Sequence, residues 1–385
     1  MFGEIFMIYF DNAATTFPKP PSVIREMARC MREYGGNPGR SGHSLSLAAA
    51  EAIFDVRARI SKFFGGTKPE NVIFTRNTTD AIDLAVDGIS RMGDHFLISN
   101  LEHNSVYRTV AGYCEKKGMK YEIFEALCDD ETLLRGIEKR ITPKTRAIIT
   151  THASNICPRV LPIGKIGALC RKKGILFVVD AAQSAGIYDI SMARDAIDIL
   201  CAPGHKGLYG PQGSGFALFA DGFDFSHFSP ARFGGNGKDS ALLAMGHEPP
   251  ESFETGTAST PAIVGLGAGL AYLENIGRET VENREALLFR AASDGIRAMA
   301  GVKLYLPEAR RGSLLLLGFE KQVPTAVASS LSDAGVCVRA GLHCAPLAHT
   351  ALGTGGDALR ISFSAFNTVD EVARFLRILE KTVKE

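Results

Sequence analysis

The sequence predicts an α/β protein: a large domain with a mostly parallel sheet flanked by helices, followed by a smaller α+β domain. Short apolar runs alternate with helical patterns between residues 72 and 180. After Gly256 the pattern changes to a long helical region, then short strands and a closing helix. The chain of 385 residues is also too long for one ordinary domain and has the length of two.

The large domain is predicted from its apolar runs. They indicate strands at residues 72–75, 95–99, 121–124, 146–150 and 175–179. The helical patterns between them cover residues 79–89, 106–117, 132–140 and 163–173. Strands that are apolar on both faces and joined by helices are typical of a buried parallel sheet. We therefore expect helices on both faces of one sheet.

The second part of the chain predicts fewer and shorter strands. The expected elements are a helical region over 262–299 with a break near Gly277, strands at 314–319 and 336–339, and a helix over 368–383. This pattern is typical of a small α+β unit. We place the large domain at residues 16–276 and the small domain at 277–385, and we expect segment 1–15 to pack near the small domain.

The composition excludes several classes of protein. Lys plus Arg is 43 and Asp plus Glu is 42, so the net charge of +1 gives no electrostatic basis for binding nucleic acid or anionic membranes. No stretch approaches the roughly 20 apolar residues of a membrane span. The eight cysteines form no C-x-x-C pair, and the first residues lack a basic signal region. We expect reduced thiols, no metal site and a cytoplasmic location.

Ligand sites in parallel sheets lie at the carboxyl ends of the strands. Five polar clusters follow apolar stretches of the predicted large domain. They are Asn77-Thr78-Thr79, Glu102-His103-Asn104, Ser154-Asn155, Asp180-Ala181-Ala182-Gln183 and Gly204-His205-Lys206. We expect these clusters to meet on one rim of the sheet.

Asp180 and Lys206 carry the most specific chemistry at this rim. A carboxylate after five apolar residues is poorly solvated, so Asp180 either caps the next helix or pairs with a bound cation. Lys206 lies between Gly204 and Gly207, as a solvated turn residue or as a Schiff-base lysine. A Schiff-base lysine and an acid for a pyridinium nitrogen are the two fixed requirements of pyridoxal phosphate enzymes.

An ordered set of motifs extends this pattern along nearly the whole chain. The motifs are Tyr9-Phe10-Asp11-Asn12-Ala13-Ala14-Thr15-Thr16, Glu102-His103, Asp180-Ala181-Ala182-Gln183-Ser184, Gly204-His205-Lys206, Arg339-Ala340-Gly341-Leu342-His343-Cys344-Ala345-Pro346 and Leu359-Arg360-Ile361-Ser362. The set resembles the cysteine desulfurase and selenocysteine lyase group of the class V aminotransferase-like, fold-type I enzymes. Each motif alone is weak evidence for the family, and the order of the motifs along the chain makes the resemblance specific.

The resemblance implies pyridoxal 5′-phosphate as the cofactor. Lys206 would bond to it and later move a proton, Asp180 would keep the ring nitrogen protonated, and His103 would stack on the ring as a catalytic residue. The remaining implied contacts are those of Gln183 and Asn155 near the ring hydroxyl and of Thr78, Thr79, His205 and Thr257 with the phosphate. Thr257 would reach the neighbouring subunit, which implies a homodimer with shared active sites.

Cys344 decides the subfamily. It follows Arg339 and His343 in a loop, where a cationic neighbour and exposure favour the nucleophilic thiolate. A desulfurase needs such a thiol to attack the sulfur of cofactor-bound cysteine, which leaves a persulfide, whereas a plain aminotransferase needs none. The other cysteines are expected to be packed apolar thiols. His343 either fills a turn or takes a direct part.

The substrate contacts are also implied by the resemblance. Arg360 would bind the α-carboxylate, because its planar guanidinium can hold a carboxylate with two hydrogen bonds. Arg339 is a second candidate for this role, and Asn155 and His43 would lie near the substrate. His43 could equally cap the helix that begins near Leu45.

Two segments depart from the family pattern. Pro203 stands where many members have a hydroxyl residue that contacts phosphate, and proline has neither that donor nor an N–H. Cys157-Pro158-Arg159 replaces a small, glycine-rich stretch. The shape of the substrate pocket near these residues therefore does not follow from the family.

The leading functional prediction is a cysteine desulfurase that converts L-cysteine to L-alanine and forms a persulfide on Cys344. The sulfur would pass to an acceptor protein, such as one in iron–sulfur cluster assembly. The alternatives are a selenocysteine lyase, an aminotransferase without sulfur chemistry and a noncatalytic protein of the same fold. A nucleotide site is disfavoured, because residues 234–239 lack Walker A spacing.

Overall fold

The computed structural model describes residues 7–39, 41–229, 231–237, 243–305 and 312–384. The strands in these ranges are β1 (Ile8–Tyr9), β2 (Val72–Thr75), β3 (His95–Ser99), β4 (Lys120–Phe124), β5 (Thr145–Thr151), β6 (Leu176–Asp180), β7 (Ile199–Pro203), β8 (Gly215–Phe219), β9 (Val302–Leu304), β10 (Leu314–Phe319), β11 (Val336–Cys337), β12 (Arg339–Ala340) and β13 (Leu359–Ser362). The α-helices are α1 (Pro21–Arg29), α2 (Ser44–Phe63), α3 (Thr78–Ile89), α4 (Asn104–Lys117), α5 (Asp130–Arg140), α6 (Ile163–Lys173), α7 (Thr260–Ile276), α8 (Arg278–Arg297), α9 (Pro324–Asp333), α10 (Pro346–Leu352) and α11 (Val369–Lys384).

Seven strands form the large sheet, in the order β2-β8-β7-β6-β5-β3-β4. The neighbours from β7 to β4 pair in parallel, whereas β8 runs antiparallel to both β7 and β2. The predicted α/β class with a mostly parallel sheet is therefore confirmed. Strands β7 and β8 add to the five predicted strands of this sheet, and the signal of β8 in the sequence is the apolar run 216–219 after a glycine-rich turn.

Helices cover both faces of this sheet. Successive side chains of a strand point to opposite faces. Phe177 and Val179 of β6 accordingly pack in one core with Ile166 of α6, and Val178 packs in a second core with Val110 of α4. Both faces are thus buried, which is why these strands are almost continuously apolar.

A smaller antiparallel sheet has the order β12-β13-β10-β9. Its core contains Leu315 and Ile361 from the sheet and Phe375 from α11. The N-terminal segment joins this part of the molecule, because β1 pairs in parallel with β11 and Phe10 is buried in the same core. In the ranges that the structure describes, no helix combines the length and apolar character needed to span a membrane.

Candidate active site

A cavity of about 170 Å³ lies at the carboxyl ends of β5, β6 and β7. It is lined by Asn77, Thr78, Thr79, His103, Ser105, Thr151, Asn155, Asp180, Ala182, Gln183, His205 and Lys206. Each of the five polar clusters found in the sequence contributes at least one of these residues. The parallel strands bring them together, since their carboxyl ends meet at one edge.

A tight turn after β7 brings Lys206 into the cavity. The N–H of Gly204 donates to the carbonyl of Ser214 at 2.8 Å, and the N–H of Gly210 donates to the carbonyl of Gly204 at 2.8 Å. A Cβ atom at Gly204 would lie 2.0 Å from Oγ of Ser214, and one at Gly207 would lie 2.5 Å from the carbonyl of Ala185. The glycines are therefore required by the close approach of the backbone.

Burial controls the charge of the Lys206 amine. Desolvation lowers its pKa to about 8, against the attraction of Asp180 and with the help of the nearby Arg360 and Arg339 cations. A much larger fraction of the amine is then neutral near pH 7–8 than for an exposed lysine. The neutral amine is the nucleophilic form that Schiff-base chemistry requires.

Asp180 ends β6 and is buried, with 2% of its surface exposed. Its Oδ1 accepts a hydrogen bond from the N–H of Ala182 at 2.9 Å, so the carboxylate does cap the turn that follows. It also lines the cavity together with Lys206. Desolvation raises its pKa, opposed by the bond from Ala182 and the charge of Lys206. The two interpretations of this residue are thus compatible.

His103 lies at the N-terminal cap of α4. Its Nδ1 accepts from the N–H of Ser105 at 3.0 Å and lies 2.9 Å from Oγ of Ser105. Burial, together with the nearby charge of Lys206, lowers the pKa of His103 to about 4. The ring is therefore neutral at physiological pH, and because Nδ1 accepts, its proton is on Nε2.

One end of the cavity suits an anion. Oγ1 of Thr78, at the first residue of α3, and Nδ1 of His205 are buried and have no hydrogen-bond partner. Thr79 follows on the same helix start and also lines the cavity. The N-terminus of a helix favours negative charge through its dipole and its N–H groups. These groups match the phosphate contacts that the sequence motifs imply.

Arg360 of β13 lies at the other side of the site, with 1% of its surface exposed. Its Nη1 donates to the carbonyl of Asn155 at 2.9 Å, and its Nη2 donates to Oδ1 of Asp11 at 2.7 Å. Its Nε is buried without a partner. Desolvation lowers the pKa of Arg360, and Asp11 opposes that shift. The guanidinium is thus oriented by two fixed acceptors, and its Nε–H points to neither of them.

Cys344 lies in the loop between β12 and α10 and is half-buried. Its Sγ is 3.6 Å from Nη2 of Arg339. The loop is attached to the wall of the cavity, because Nδ2 of Asn155 donates to the carbonyl of His343 at 2.8 Å and the N–H of Asn104 donates to the carbonyl of Cys344 at 2.7 Å. Cys344 itself is not among the residues that line the cavity.

The N-terminal segment supports the peptide that precedes Lys206. The carbonyl of His205 accepts from the N–H of Thr16 at 3.1 Å, from Oγ1 of Thr15 at 3.1 Å and from Nζ of Lys19 at 2.7 Å. The same segment supplies Asp11 to Arg360. One stretch of chain therefore contacts both sides of the site.

His43 and Thr257 have implied roles, and they too do not line the cavity. His43 is exposed and caps α2, with its Nδ1 accepting from the N–H of Ser46 at 3.3 Å. Of the two roles that its sequence position allows, His43 therefore takes that of the helix cap. Thr257 is exposed on the loop before α7, so within one chain it does not line the cavity. Its implied contact across a subunit interface stays a prediction.

Ser105, Thr151 and Asp11 belong to the site without having been assigned a role from sequence. Ser105 binds His103, Thr151 lines the cavity at the end of β5, and Asp11 pairs with Arg360. Ser105 had a signal, since a helix-start serine two residues after His103 is placed to bind it. Asp11 had one too, as the only acid of its motif.

The segment 157–159 is hydrogen-bonded to neighbouring loops. Nε of Arg159 donates to the carbonyl of Ala126 at 3.0 Å, and its Nη2 lies 3.1 Å from Oδ1 of Asp130. The carbonyl of Pro158 accepts from the N–H of Gly312 at 2.9 Å. These bonds attach the segment to the loops at residues 126–130 and 312, and none of its three residues lines the cavity that contains Asp180 and Thr78.

Residues 8–375 match the family described as Aminotransferase class-V. The chain belongs to this family. Among its class-V relatives is a probable cysteine desulfurase of Pyrococcus abyssi, 32% identical, with 98% of this chain and 94% of the relative covered. A cysteine desulfurase of Salmonella dublin is 29% identical, with 96% and 92% covered. The family resemblance stated from the motifs is thus confirmed.

A solved structure supports the same assignment of the fold. The apo cysteine desulfurase from Thermococcus onnurineus NA1 superposes on this chain with a TM-score of 0.91 at 32% identity, and the match covers 98% of this chain and 95% of that one. The fold-type I class-V architecture is therefore confirmed.

Proposed function

We propose that the protein is a pyridoxal 5′-phosphate-dependent cysteine desulfurase that converts L-cysteine and the Cys344 thiol into L-alanine and a Cys344 persulfide. The observation that carries this proposal is that Lys206 and Asp180 line one cavity whose wall is hydrogen-bonded to the loop of Cys344. The class-V relatives that are named cysteine desulfurases support the same reaction.

The residues of the cavity fit the cofactor of this family. The unpartnered Thr78 and His205 atoms and the start of α3 suit its phosphate, and Asp180 suits a protonated ring nitrogen. Gln183 lines the same cavity, and its Nε2 already donates to the carbonyl of Ala13 at 2.9 Å, which orients the amide. When bound, pyridoxal phosphate supplies an electron sink conjugated to the substrate amine.

The chain's own residues would bind the cofactor and move the protons. Lys206 would hold the cofactor through Nζ, and its amine, whose pKa is lowered to about 8, is suited to carrying a proton on that atom. Asp180 would keep a proton on the ring nitrogen. His103, whose Nδ1 is occupied by Ser105, has its proton on Nε2 and would lie against the cofactor ring.

The substrate would be oriented by Arg360 and attacked by Cys344. Nε of Arg360 is the donor left free by Asp11 and Asn155, and it is available to the α-carboxylate of L-cysteine. Nη2 of Arg339 lies 3.6 Å from the Cys344 sulfur and would hold it in place for the attack. The Cys344 thiol would attack the substrate sulfur, so that an S–S bond forms as the substrate C–S bond breaks. The electron pair left on the substrate carbon takes up a proton, and L-alanine leaves with the persulfide on Cys344.

Product analysis tests the proposal. The purified protein, loaded with pyridoxal phosphate and supplied with L-cysteine, should form L-alanine and, with a reductant, an equal amount of sulfide. Cys344→Ser should lose both products by about 100-fold or more, since it removes the nucleophile. Transfer of the amino group to a 2-oxo acid that outpaces alanine formation would contradict the desulfurase and favour the aminotransferase. A strong preference for L-selenocysteine would identify a selenocysteine lyase.

We also propose that the active form is a cytoplasmic homodimer that passes its sulfur to an acceptor protein. Large apolar side chains are exposed on α1, α2 and the turn between them. They are Ile24, Met31, Leu45, Leu47 and Phe54. An exposed apolar surface of this kind favours a protein interface. In the proposed dimer, the exposed Thr257 is the residue that would contact the phosphate end of its partner's cavity.

A further inference from the structure

The Cys344 loop has an unfavourable backbone conformation. His343 has φ +48° and Cys344 has φ +56°. Residues other than glycine avoid this left-handed region, because Cβ approaches the carbonyl oxygen too closely. Two consecutive residues adopt it here, directly at the thiol. A strained arrangement of this kind persists only where surrounding groups hold it in place.

Three bonds hold the His343–Cys344 backbone. Both carbonyls are fixed to the cavity wall by Asn155 and Asn104, at 2.8 and 2.7 Å. The third contact comes from the His343 ring, whose Nε2 lies 3.2 Å from the carbonyl of Arg339. A carbonyl only accepts, so this nitrogen carries the ring proton. The ring therefore closes the loop from Arg339 to Cys344.

The His343 ring is itself held by a directed chain of hydrogen bonds. Its Nδ1 must accept, so the proton of the 3.3 Å contact with His349 comes from Nε2 of His349. Nδ1 of His349 then accepts, and it lies 2.5 Å from Oγ1 of Thr354. The two rings are stacked at 5.5 Å with an angle of 5°, and both side chains are buried. The chain runs from Thr354 through His349 and His343 to Arg339.

We propose that His349 and Thr354 are positioning residues for sulfur transfer, which act through His343 to keep the Cys344 thiol beside Arg339. The inference rests on the proposed function, and it extends that function to two residues outside the cavity. Neither residue touches the sulfur. Their hydrogen bonds fix one tautomer of His343 and so maintain the backbone that aims the thiol.

The chain requires both histidines to be neutral. Burial lowers the pKa of His343 to about 3, and the Arg360 and Arg339 cations contribute to this shift. Burial also lowers the pKa of His349, although Asp357 opposes it. A protonated His349 would still donate to His343 but would lose the bond from Thr354. The neutral pair therefore preserves the direction of the chain across the working pH range.

Two conservative variants of Thr354 test the proposal in the pyridoxal phosphate-loaded protein. Thr354→Val keeps the shape but removes the donor, and Thr354→Ser keeps the donor. For Thr354→Val we expect kcat for alanine formation to fall about tenfold while KM for L-cysteine stays within about twofold. Thr354→Ser should retain wild-type values. His349→Phe, which keeps a stacked ring without its nitrogens, should behave as Thr354→Val does.

A second measurement separates this inference from the proposed reaction. Alkylation of Cys344 by iodoacetamide, followed by peptide mass spectrometry without substrate, should slow several-fold in Thr354→Val because the sulfur leaves Arg339. Wild-type rates of alkylation in both Thr354→Val and His349→Phe would overturn the positioning role, whatever reaction the protein catalyses. A wild-type protein that yields no alanine would overturn the proposed function and leave the alkylation result intact.

Discussion

Burial sets the charge state of each residue around the cavity. The pKa values of His103 and His205 are lowered to about 4 and that of Lys206 to about 8, in each case chiefly by desolvation. A neutral histidine donates or accepts according to its tautomer, and a partly neutral lysine is nucleophilic. The residue types suggest hydrogen bonding by neutral histidines and nucleophilic attack by a lysine amine. Their shared burial brings both into the range near neutral pH.

The lowered pKa of Lys206 predicts a pH-dependent stability of the cofactor-free protein. The unfolded lysine has its ordinary pKa of 10.5, so between pH 8 and 10.5 the unfolded state binds more protons and stability rises with pH. Lys206→Met removes the cost of the buried charge. It should stabilise the protein at pH 7 by at most about 3 kcal/mol, and the difference should shrink as the pH rises through this window.

Urea unfolding of the wild type and Lys206→Met at pH 7, 8.5 and 10 measures this difference. Lys144→Met is the control, because Lys144 is exposed and its replacement should leave the pH profile unchanged. A gap between wild type and Lys206→Met that stays constant from pH 7 to 10 would contradict the account of a desolvated amine.

Asp180→Asn tests the charge of the carboxylate separately from its hydrogen bond with the N–H of Ala182. An asparagine oxygen can still accept from the N–H of Ala182, but a neutral amide does not keep a ring nitrogen protonated. We expect alanine formation to fall about 100-fold, with cofactor still bound. Asp198→Asn is a matched control, since its carboxylate accepts from the N–H of Phe177 at the opposite end of β6 and should affect stability alone. Equal losses of kcat in both variants would refute the assigned role.

At the scale of elements, two helices begin two residues earlier than the sequence predicts. Helix α4 was expected from residue 106 and begins at Asn104, because the ring of His103 accepts from the N–H of Ser105. Helix α5 was expected from residue 132 and begins at Asp130, because Asp129 accepts from the N–H of Thr132 at 3.0 Å. Caps add polar residues before the apolar periodicity that predicts a helix begins.

The packing of α3 predicts a strong difference between two helical glycines. A Cβ at Gly88 would lie 2.2 Å from the ring of Phe228, whereas one at Gly112 on α4 would meet open space. Gly88→Ala should destabilise the protein by about 2 kcal/mol through overpacking. Gly112→Ala should stabilise it by up to about 1 kcal/mol through helix propensity. Thermal unfolding of the two variants measures the sign, and a stabilising Gly88→Ala would contradict the packing.

A buried ion pair fixes the loop that carries Thr257. Arg57 of α2 pairs with Glu254, and the same carboxylate accepts from the N–H of Phe74. Glu254→Gln leaves the Arg57 charge buried without its partner and should cost about 3 kcal/mol. Glu131→Gln breaks the exposed pair with Arg135 and should cost less than about 0.5 kcal/mol. Chemical denaturation compares them, and equal costs would contradict the burial argument.

At the scale of the whole molecule, we expect disruption of the proposed dimer to lower both the mass of the particle and its affinity for the cofactor. Phe54→Glu places a charge on the exposed apolar surface of α2, so we expect a monomer by light scattering. The monomer should also bind pyridoxal phosphate more weakly, because Thr257 of a second copy is lost. Val323→Glu, on another exposed apolar residue, should remain dimeric. A Phe54→Glu dimer with wild-type affinity would contradict this surface as the interface.

Sequence reasoning recovered the architecture and most of the cavity for a common physical reason. Parallel strands must be apolar throughout, and a polar residue that directly follows such a strand lies at the ligand-binding edge. Asp180 and Lys206 were therefore visible from their positions alone. The chain from Thr354 to His343 was not, because it depends on how a loop folds back on itself. Neither could sequence place Thr257, whose implied partner belongs to another subunit.

The N-terminal segment has a mechanical consequence. Between Asp11 and Lys19 it is hydrogen-bonded both to the arginine proposed to receive the substrate and to the peptide bond before the proposed cofactor-binding lysine. The segment connects the arginine to this peptide bond, since a shift of such a short stretch displaces both attachments at once. The N-terminal segment performs no chemistry, but it thereby sets the distance between a bound amino acid and its site of reaction.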